Sequence, residues 1–229
     1  MTNSIFKIAK VTKAMKNQCL IANYTVEVKF VNFRNFKSMK IVFASNNHNK
    51  VVEVRQVLPS DFEILTLADI DCTEEIPETA STIEGNAILK ANYITEKYGL
   101  NCFADDTGLE VDALDGAPGV YSARYAGDQR NSEDNIDKLL IELKGNSNRR
   151  ANFKTVVALN INGEQHLFTG NVNGEITEKP RGTMGFGYDS VFKPDGHSLT
   201  FAEIPLSEKA EMSHRGKAIA KLVEFLNQR

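Results

Sequence analysis

Residues 39–65 read MKIVFASNNHNKVVEVRQVLPSDFEIL. Lys40 to Ala44 is a short, β-rich apolar run, too short for a helix, and reads as a buried strand. From His48 to Leu58 the apolar residues Val51, Val54, Val57 and Leu58 recur at helical spacing until Pro59 stops them. Phe62 to Leu65 then reads as a second strand. A strand, a helix and a strand in that order predict the start of a mixed α/β fold.

Further along, Thr82 to Tyr98 carries Ile83, Ala87, Leu89, Ala91 and Ile94 at helical spacing, with Gly99 as its stop. Ser81 and Glu84 stand at capping-box spacing at its start. Cys102 to Ala104 predicts a short strand that runs into an acidic turn, Asp105-Asp106-Thr107-Gly108. Ser132 to Leu143 is amphipathic. Asn152 to Ile161 and Gln165 to Val172 alternate around Asn162-Gly163, a strong hairpin signal. Ser213 to Asn227 predicts a closing helix with Ile219, Leu222, Val223 and Leu226 inward. Residues 39–229 show no repeat, low-complexity segment or linker, which favours one domain.

Composition narrows the class. The 229 residues are 41% hydrophobic and 25% charged, enough chain to bury well over half its unfolded surface without metal or disulfide staples. Cys19, Cys72 and Cys102 are odd in number and far apart, which fits a reducing, cytoplasmic setting and matches no zinc or disulfide framework. No apolar run nears the ~18 residues of a membrane span. Residues 1–38 hold seven basic side chains against Glu27 alone, net +6 in a chain of net −3, so residues 39–229 carry −9. Such an arm suits nucleic-acid contact or targeting, but it has no apolar signal stretch and is rich in Lys where transit peptides are rich in Arg. Met39 opens a stretch that looks like a protein start. The arm is therefore expected to be an N-terminal extension outside a folded core of residues 39–229. The acidic remainder argues against stable nucleic-acid binding.

Four constellations could carry chemistry. Ser45-Asn46-Asn47-His48-Asn49-Lys50 joins the first strand to the first helix, where open α/β sheets bind ligands and a helix offers free N–H groups. It suits a phosphate chain, or it merely turns the chain and caps the helix; it is not a Walker A loop. Glu74, Glu75 and Glu78 with Asp105 and Asp106 offer hard oxygens suited to Mg²⁺, or belong to solvated loops and turns. Strand alternation sends the two Asp side chains to opposite faces. In Gly185-Phe186-Gly187-Tyr188-Asp189, glycines allow close backbone approach and Phe186 could stack on a planar base, with Asp189 accepting from a base N–H; an aromatic core plug is the plainer reading. Lys209 with Ser213-His214-Arg215 supplies donors for a carbonyl or phosphate, or an N-cap with solvated cations. No Ser/His/Asp or Cys/His pair stands out, nor any H-E-x-x-H or C-x-x-C motif.

Taken together, SNNHNK (45–50), FADDTGLEVDALDGAPGVYSARYAG (103–127), GFGYDSVF (185–192) and EKAEMSHRGKA (208–218) closely resemble the inosine triphosphate pyrophosphatase family, from Met39 to about Leu226. The resemblance implies an α/β fold with a long twisted mixed central sheet, two α/β lobes and a substrate cleft between them. It implies Mg²⁺-dependent hydrolysis of non-standard purine nucleoside triphosphates to the monophosphate and pyrophosphate, by a cytoplasmic homodimer. By the same resemblance Ser45, Asn46, Asn47, His48, Asn49 and Lys50 hold the triphosphate, and Asp106 is the catalytic acid and metal ligand. Glu78 is the second metal ligand and Thr107 lies beside the nucleotide. Phe186, Gly187, Tyr188 and Asp189 form the base loop, and Lys209, His214 and Arg215 complete the substrate contacts; Lys90 is a further candidate for the phosphates. Many members have two acids before the helix Asn, where this chain has Glu84-Gly85-Asn86, so a role for the second acid does not transfer.

Overall fold

In the computed structural model, β1 (Met39–Phe43) leads through α1 (His48–Val57) to β2 (Phe62–Leu65), and α2 (Ile83–Tyr98) carries the chain to β3 (Cys102–Val111). After the short β4 (Pro118–Gly119) come α3 (Ser132–Glu142), the long pair β5 (Arg150–Ile161) and β6 (Glu164–Ile176), β7 (Phe192–Pro194), α4 (Leu206–Met212) and α5 (His214–Asn227). The structure describes residues 39–60 and 62–229, which fall within one compact unit. The arm of residues 1–38, and with it Cys19, lies outside the described residues.

The strands form one mixed sheet in the order β2-β1-β3-β5-β6-β7, with β4 beside β3. β1 pairs parallel to both β2 and β3, and the remaining pairs are antiparallel. The hairpin turn at Asn162-Gly163 has positive φ at both residues, 51° and 82°, the backbone that lets a two-residue turn follow strand twist.

Two expectations change. The acidic turn at Asp105–Gly108 is instead mid-strand: every residue from Cys102 to Val111 pairs with β5, Asp106 opposite Val156. Gly108 reads as a turn residue locally, yet it is small because β4 presses on it. A Cβ there would lie 2.6 Å from the Gly119 carbonyl oxygen and 2.6 Å from Ile83 Cδ1. The cap of α2 is Thr82, whose side chain accepts from Gly85 N at 3.0 Å, and not Ser81. Glu84 turns away to Lys154, 2.5 Å distant. The chain before the helix folds back against its first turn, where a Cβ on Gly85 would stand 2.6 Å from that of Ala80. Space, not turn-forming freedom, keeps glycine at both positions.

Side-chain alternation along β3 divides the core. Cys102 and Ala104 pack with Ala87, Ala91 and Ile94 of α2. Phe103, stacked on Phe43 at 4.8 Å, faces the other way, toward Val54 of α1 and Ile219 and Leu222 of α5. The far half of the long strands forms a separate cluster with Leu139 of α3, Phe192 and Phe201. These two packed ends of one sheet are the lobes that the resemblance implies. Between them the sheet has a gap: β1 ends opposite Phe103, and β4 takes up the edge of β3 only at Leu109. Residues 104–108 lie at that open stretch.

Gly108→Ala is expected to lose about 1–3 kcal/mol of stability, since backbone and Ile83 cannot both yield. Urea unfolding at unchanged slope would show this as a lower midpoint; an unshifted midpoint would mean β4 moves aside freely.

Candidate active site

β1 and β3 run parallel and are reached through helices on opposite faces, α1 on one and α2 on the other. Their carboxyl ends therefore open at a topological switch point, the crevice where α/β sheets take ligands. Asn47 caps α1 there, its side chain accepting from Lys50 N at 3.2 Å, and Ser45 Oγ accepts from Asn47 N at 3.2 Å. Ser45, Asn46, Asn47 and Lys50 line a cavity of about 320 Å³ that continues to Phe186 and His214, within the range of small-molecule sites. His48 and Asn49 are exposed on the first turn of α1 and do not line it.

Strand alternation separates the two Asp residues as expected. Asp106 lines the cavity. Lys90 Nζ donates to its Oδ1 at 3.0 Å and to Glu78 Oε1 at 2.6 Å, and Asn86 Nδ2 reaches its other oxygen at 3.5 Å. Burial outweighs Lys90 and Lys50 and raises the Asp106 carboxyl, with Glu78 adding repulsion. Lys90 is shared between two acids, so it holds neither fully; burial works against its charge, but Asp106, Glu78 and Asp105 together raise it. A buried carboxylate of raised pKa beside a cavity is the profile of a general base.

Asp105 points to the opposite face, fully buried. Lys50 Nζ donates to its Oδ1 and Arg215 Nε to its Oδ2, both at 3.0 Å. Burial pushes this carboxyl up, but Lys50, Arg215 and Lys90 prevail and hold it well below the usual carboxylate range. Arg215 also donates to Thr107 Oγ1 at 3.1 Å and to Glu53. Lys209 bridges Glu53 at 2.6 Å and Asp189 at 2.5 Å. Arg215 and Lys209, expected as substrate contacts, thus spend most of their donors inside the protein, Arg215 as the tie between α5, α1 and β3.

Other expected residues divide similarly. Phe186 is half-buried on the cavity wall, with Lys209 Nζ 5.4 Å from its ring centre. Gly187 lines the same wall. Asp189 is buried, accepting from Phe186 N at 2.8 Å as well as from Lys209, so its role here is to shape the loop. Tyr188 is buried, and its hydroxyl donates to the Ser122 carbonyl at 2.9 Å. Thr107 bonds Thr155 at 2.6 Å at the cavity edge. His214 stacks on Phe153 at 4.4 Å, and its buried Nδ1 has no partner among the described residues. Burial, with Arg215 and Lys209 nearby, lowers its pKa well below that of a free imidazole, so the ring is neutral.

A family model described as the Ham1 family matches residues 41–225. The chain belongs to the Ham1 family. A dITP/XTP pyrophosphatase of Flavobacterium psychrophilum is 62% identical over 187 residues, 82% of this chain and 98% of that protein. The dITP/XTP pyrophosphatase of Bacillus subtilis is 44% identical, with 81% and 96% covered. Among solved structures, a HAM1 protein from Coxiella burnetii superposes with a TM-score of 0.77 at 38% identity, covering 83% of this chain and 100% of that one.

Within this Ham1-family site, the sequence reading missed Glu53, Asn86 and the arginines at 124 and 130. Glu53 carried a signal: it lies three residues after Lys50 on the helix face that also holds Val54 and Val57, an unusual place for a lone acid. Asn86, 1% exposed, bonds Ala80 N at 2.9 Å as well as Asp106.

Asp106→Asn is expected to lower kcat about 10²–10⁴-fold by removing a base while leaving the fold intact. Asp105→Asn should instead cost stability, about 3–5 kcal/mol at pH 7, because Arg215 and Lys50 lose their shared acid. Asp105 is depressed, so its contribution is full above the ordinary carboxylate range and fades as pH falls. The stability gap between Asp105→Asn and the parent should therefore begin to narrow below about pH 4, the unfolded carboxylate value, and keep narrowing as pH falls toward the depressed folded value. Urea midpoints at several pH values and kcat for both variants check the division; a deeper kcat loss in Asp105→Asn at equal stability would reverse it.

Proposed function

We propose that this chain hydrolyses non-standard purine nucleoside triphosphates (ITP, dITP and XTP) to the monophosphate and pyrophosphate. One observation carries the reading: Asp106, a buried base held by Lys90 and Asn86, shares a cavity with a capped phosphate-type loop at one end and Phe186 and His214 at the other. The high identity to proteins named dITP/XTP pyrophosphatase supports it.

Asp106 accepts a proton from the water that attacks phosphorus, and Asn86 keeps its carboxylate aimed. Lys50 and Lys90 neutralise phosphate oxygens. The residues fit a divalent ion: Glu78 and Asp106 are hard oxygen donors already converging on one cation, the Lys90 ammonium. Two carboxylates can suffice for Mg²⁺, which completes its shell with water and substrate phosphate. Bound there, Mg²⁺ would withdraw charge from the phosphates as pyrophosphate leaves.

Base choice falls to His214. Phe186 offers a ring for stacking, and the neutral imidazole, with its proton on Nδ1, would donate to the 6-keto oxygen of hypoxanthine or xanthine. Adenine presents an amino donor at that place and would leave Nδ1 unpaired in a dry site, a loss of about 1–3 kcal/mol. A homodimer in the cytoplasm completes the proposal on family resemblance; no described helix is long and apolar enough to cross a membrane.

Pyrophosphate release from ITP, dITP, XTP, ATP and GTP, with and without Mg²⁺, tests this directly. Release from the first three that needs the metal is expected, with ATP at least about tenfold poorer. No release from any would leave a nucleotide-binding module. Because the family match begins at residue 41, a protein beginning at Met39 is expected to keep its fold and full turnover; insolubility or lost activity would give the arm a structural role.

A further inference from the structure

We propose that Arg124 and Arg130 form an outer cationic wall of the cavity that binds the polyphosphate of the nucleotide; this rests on the pyrophosphatase reading. Four inner cations, Lys50, Lys90, Lys209 and Arg215, line the cavity, and each is already bonded to at least one carboxylate. Their five partners are Asp105, Asp106, Glu53, Glu78 and Asp189, so this wall is net −1 before any ligand arrives. A nucleoside triphosphate adds roughly four more negative charges at neutral pH. A divalent cation offsets only half of that. Uncompensated charge in a partly dry cavity is costly, so further cations are required.

The facing wall supplies them. Ser122–Arg124 is a 3₁₀ turn held from within: Ser122 Oγ accepts from Leu109 N at 2.8 Å and donates to the Gly119 carbonyl at 2.6 Å, and its own carbonyl takes the Tyr188 hydroxyl. Arg124, half-buried on the cavity wall, has no carboxylate partner and no side-chain hydrogen bond among the described residues. Its guanidinium rests 5.2 Å from the ring centre of Tyr121, itself 55% exposed. All five N–H donors stay available, in a planar fork that matches phosphate oxygens. Arg130, on the next turn of the same wall, pairs only with Glu75 at 3.2 Å among the described residues, and both side chains are exposed, 51% and 79%. Such a pair is weak, so Arg130 can exchange Glu75 for a phosphate.

The test compares Arg124→Gln and Arg130→Gln with the parent protein in KM for ITP and in direct binding of a non-hydrolysable ITP analogue and of IMP. Arg124→Gln is expected to raise KM and weaken the analogue about tenfold or more, the loss of one charge-assisted hydrogen bond. IMP binding and the thermal midpoint should hardly move, because no ion pair among the described residues is lost. Arg130→Gln should act in the same direction but less, and Arg124→Lys should fall between parent and Gln. Unchanged analogue binding in Arg124→Gln, or an equal loss for IMP, would overturn the assignment. Should the parent bind the analogue through Arg124 yet hydrolyse no nucleotide, the catalytic reading fails and the wall stands; should it hydrolyse ITP with Arg124→Gln its equal, the wall alone falls.

Discussion

A buried chain of alternating charges, Asp189–Lys209–Glu53–Arg215–Asp105–Lys50, holds the site together. It crosses α1, β3, the loop after Phe186 and the adjoining α4 and α5, tying the first part of the fold to the last. Removing six charges from water is expensive, and their attraction to one another offsets that cost only while every member has its partner. The chain therefore adds little net stability as a whole but penalises any arrangement in which one element shifts. Its product is position: α1 is held against β3, and the loop of Phe186–Asp189 against α4.

That arrangement explains why cations expected to meet the substrate are already engaged. Lys209 and Arg215 set the wall of the cavity more than they reach into it. What is left over for chemistry lies where the chain of charges ends, on the other face of β3. There Asp106 shares Lys90 with Glu78, an acid-rich trio with one cation between two carboxylates. Adjacent residues on one strand thus face opposite ways, Asp105 into the buried ion pairs and Asp106, the proposed base, into the cavity. The pleat alone separates them.

The open edge of β3 matters as much. β1 stops at Phe43 and β4 begins beside Leu109, so the cavity passes between them from one face of the sheet to the other. Without that interruption, Asp106 and His214, on opposite faces, could not meet one ligand.

Much of this was legible in the residues themselves. Periodicity placed α1, β2, α3, β5 and α5 to within a residue or two, and the hairpin turn as well, because each is set by local spacing and by stops such as Pro59 and Asn162-Gly163. β6 runs four residues past the expected Val172. The alternation of Asp105 and Asp106 followed from strand geometry alone. Where local and distant forces compete, the residues could not decide. Asp105–Gly108 has the composition of a turn, but ten paired positions on β5 make it strand. Ser81 and Glu84 have cap spacing, but Thr82 caps the helix and Glu84 pairs with Lys154 of the distant β5. Nor does any spacing in the chain say that Arg215 is spent on Glu53, 162 positions away, while Arg124 has no carboxylate partner among the described residues. Charge pairing of that kind depends on which surfaces meet, and only the folded chain brings them together.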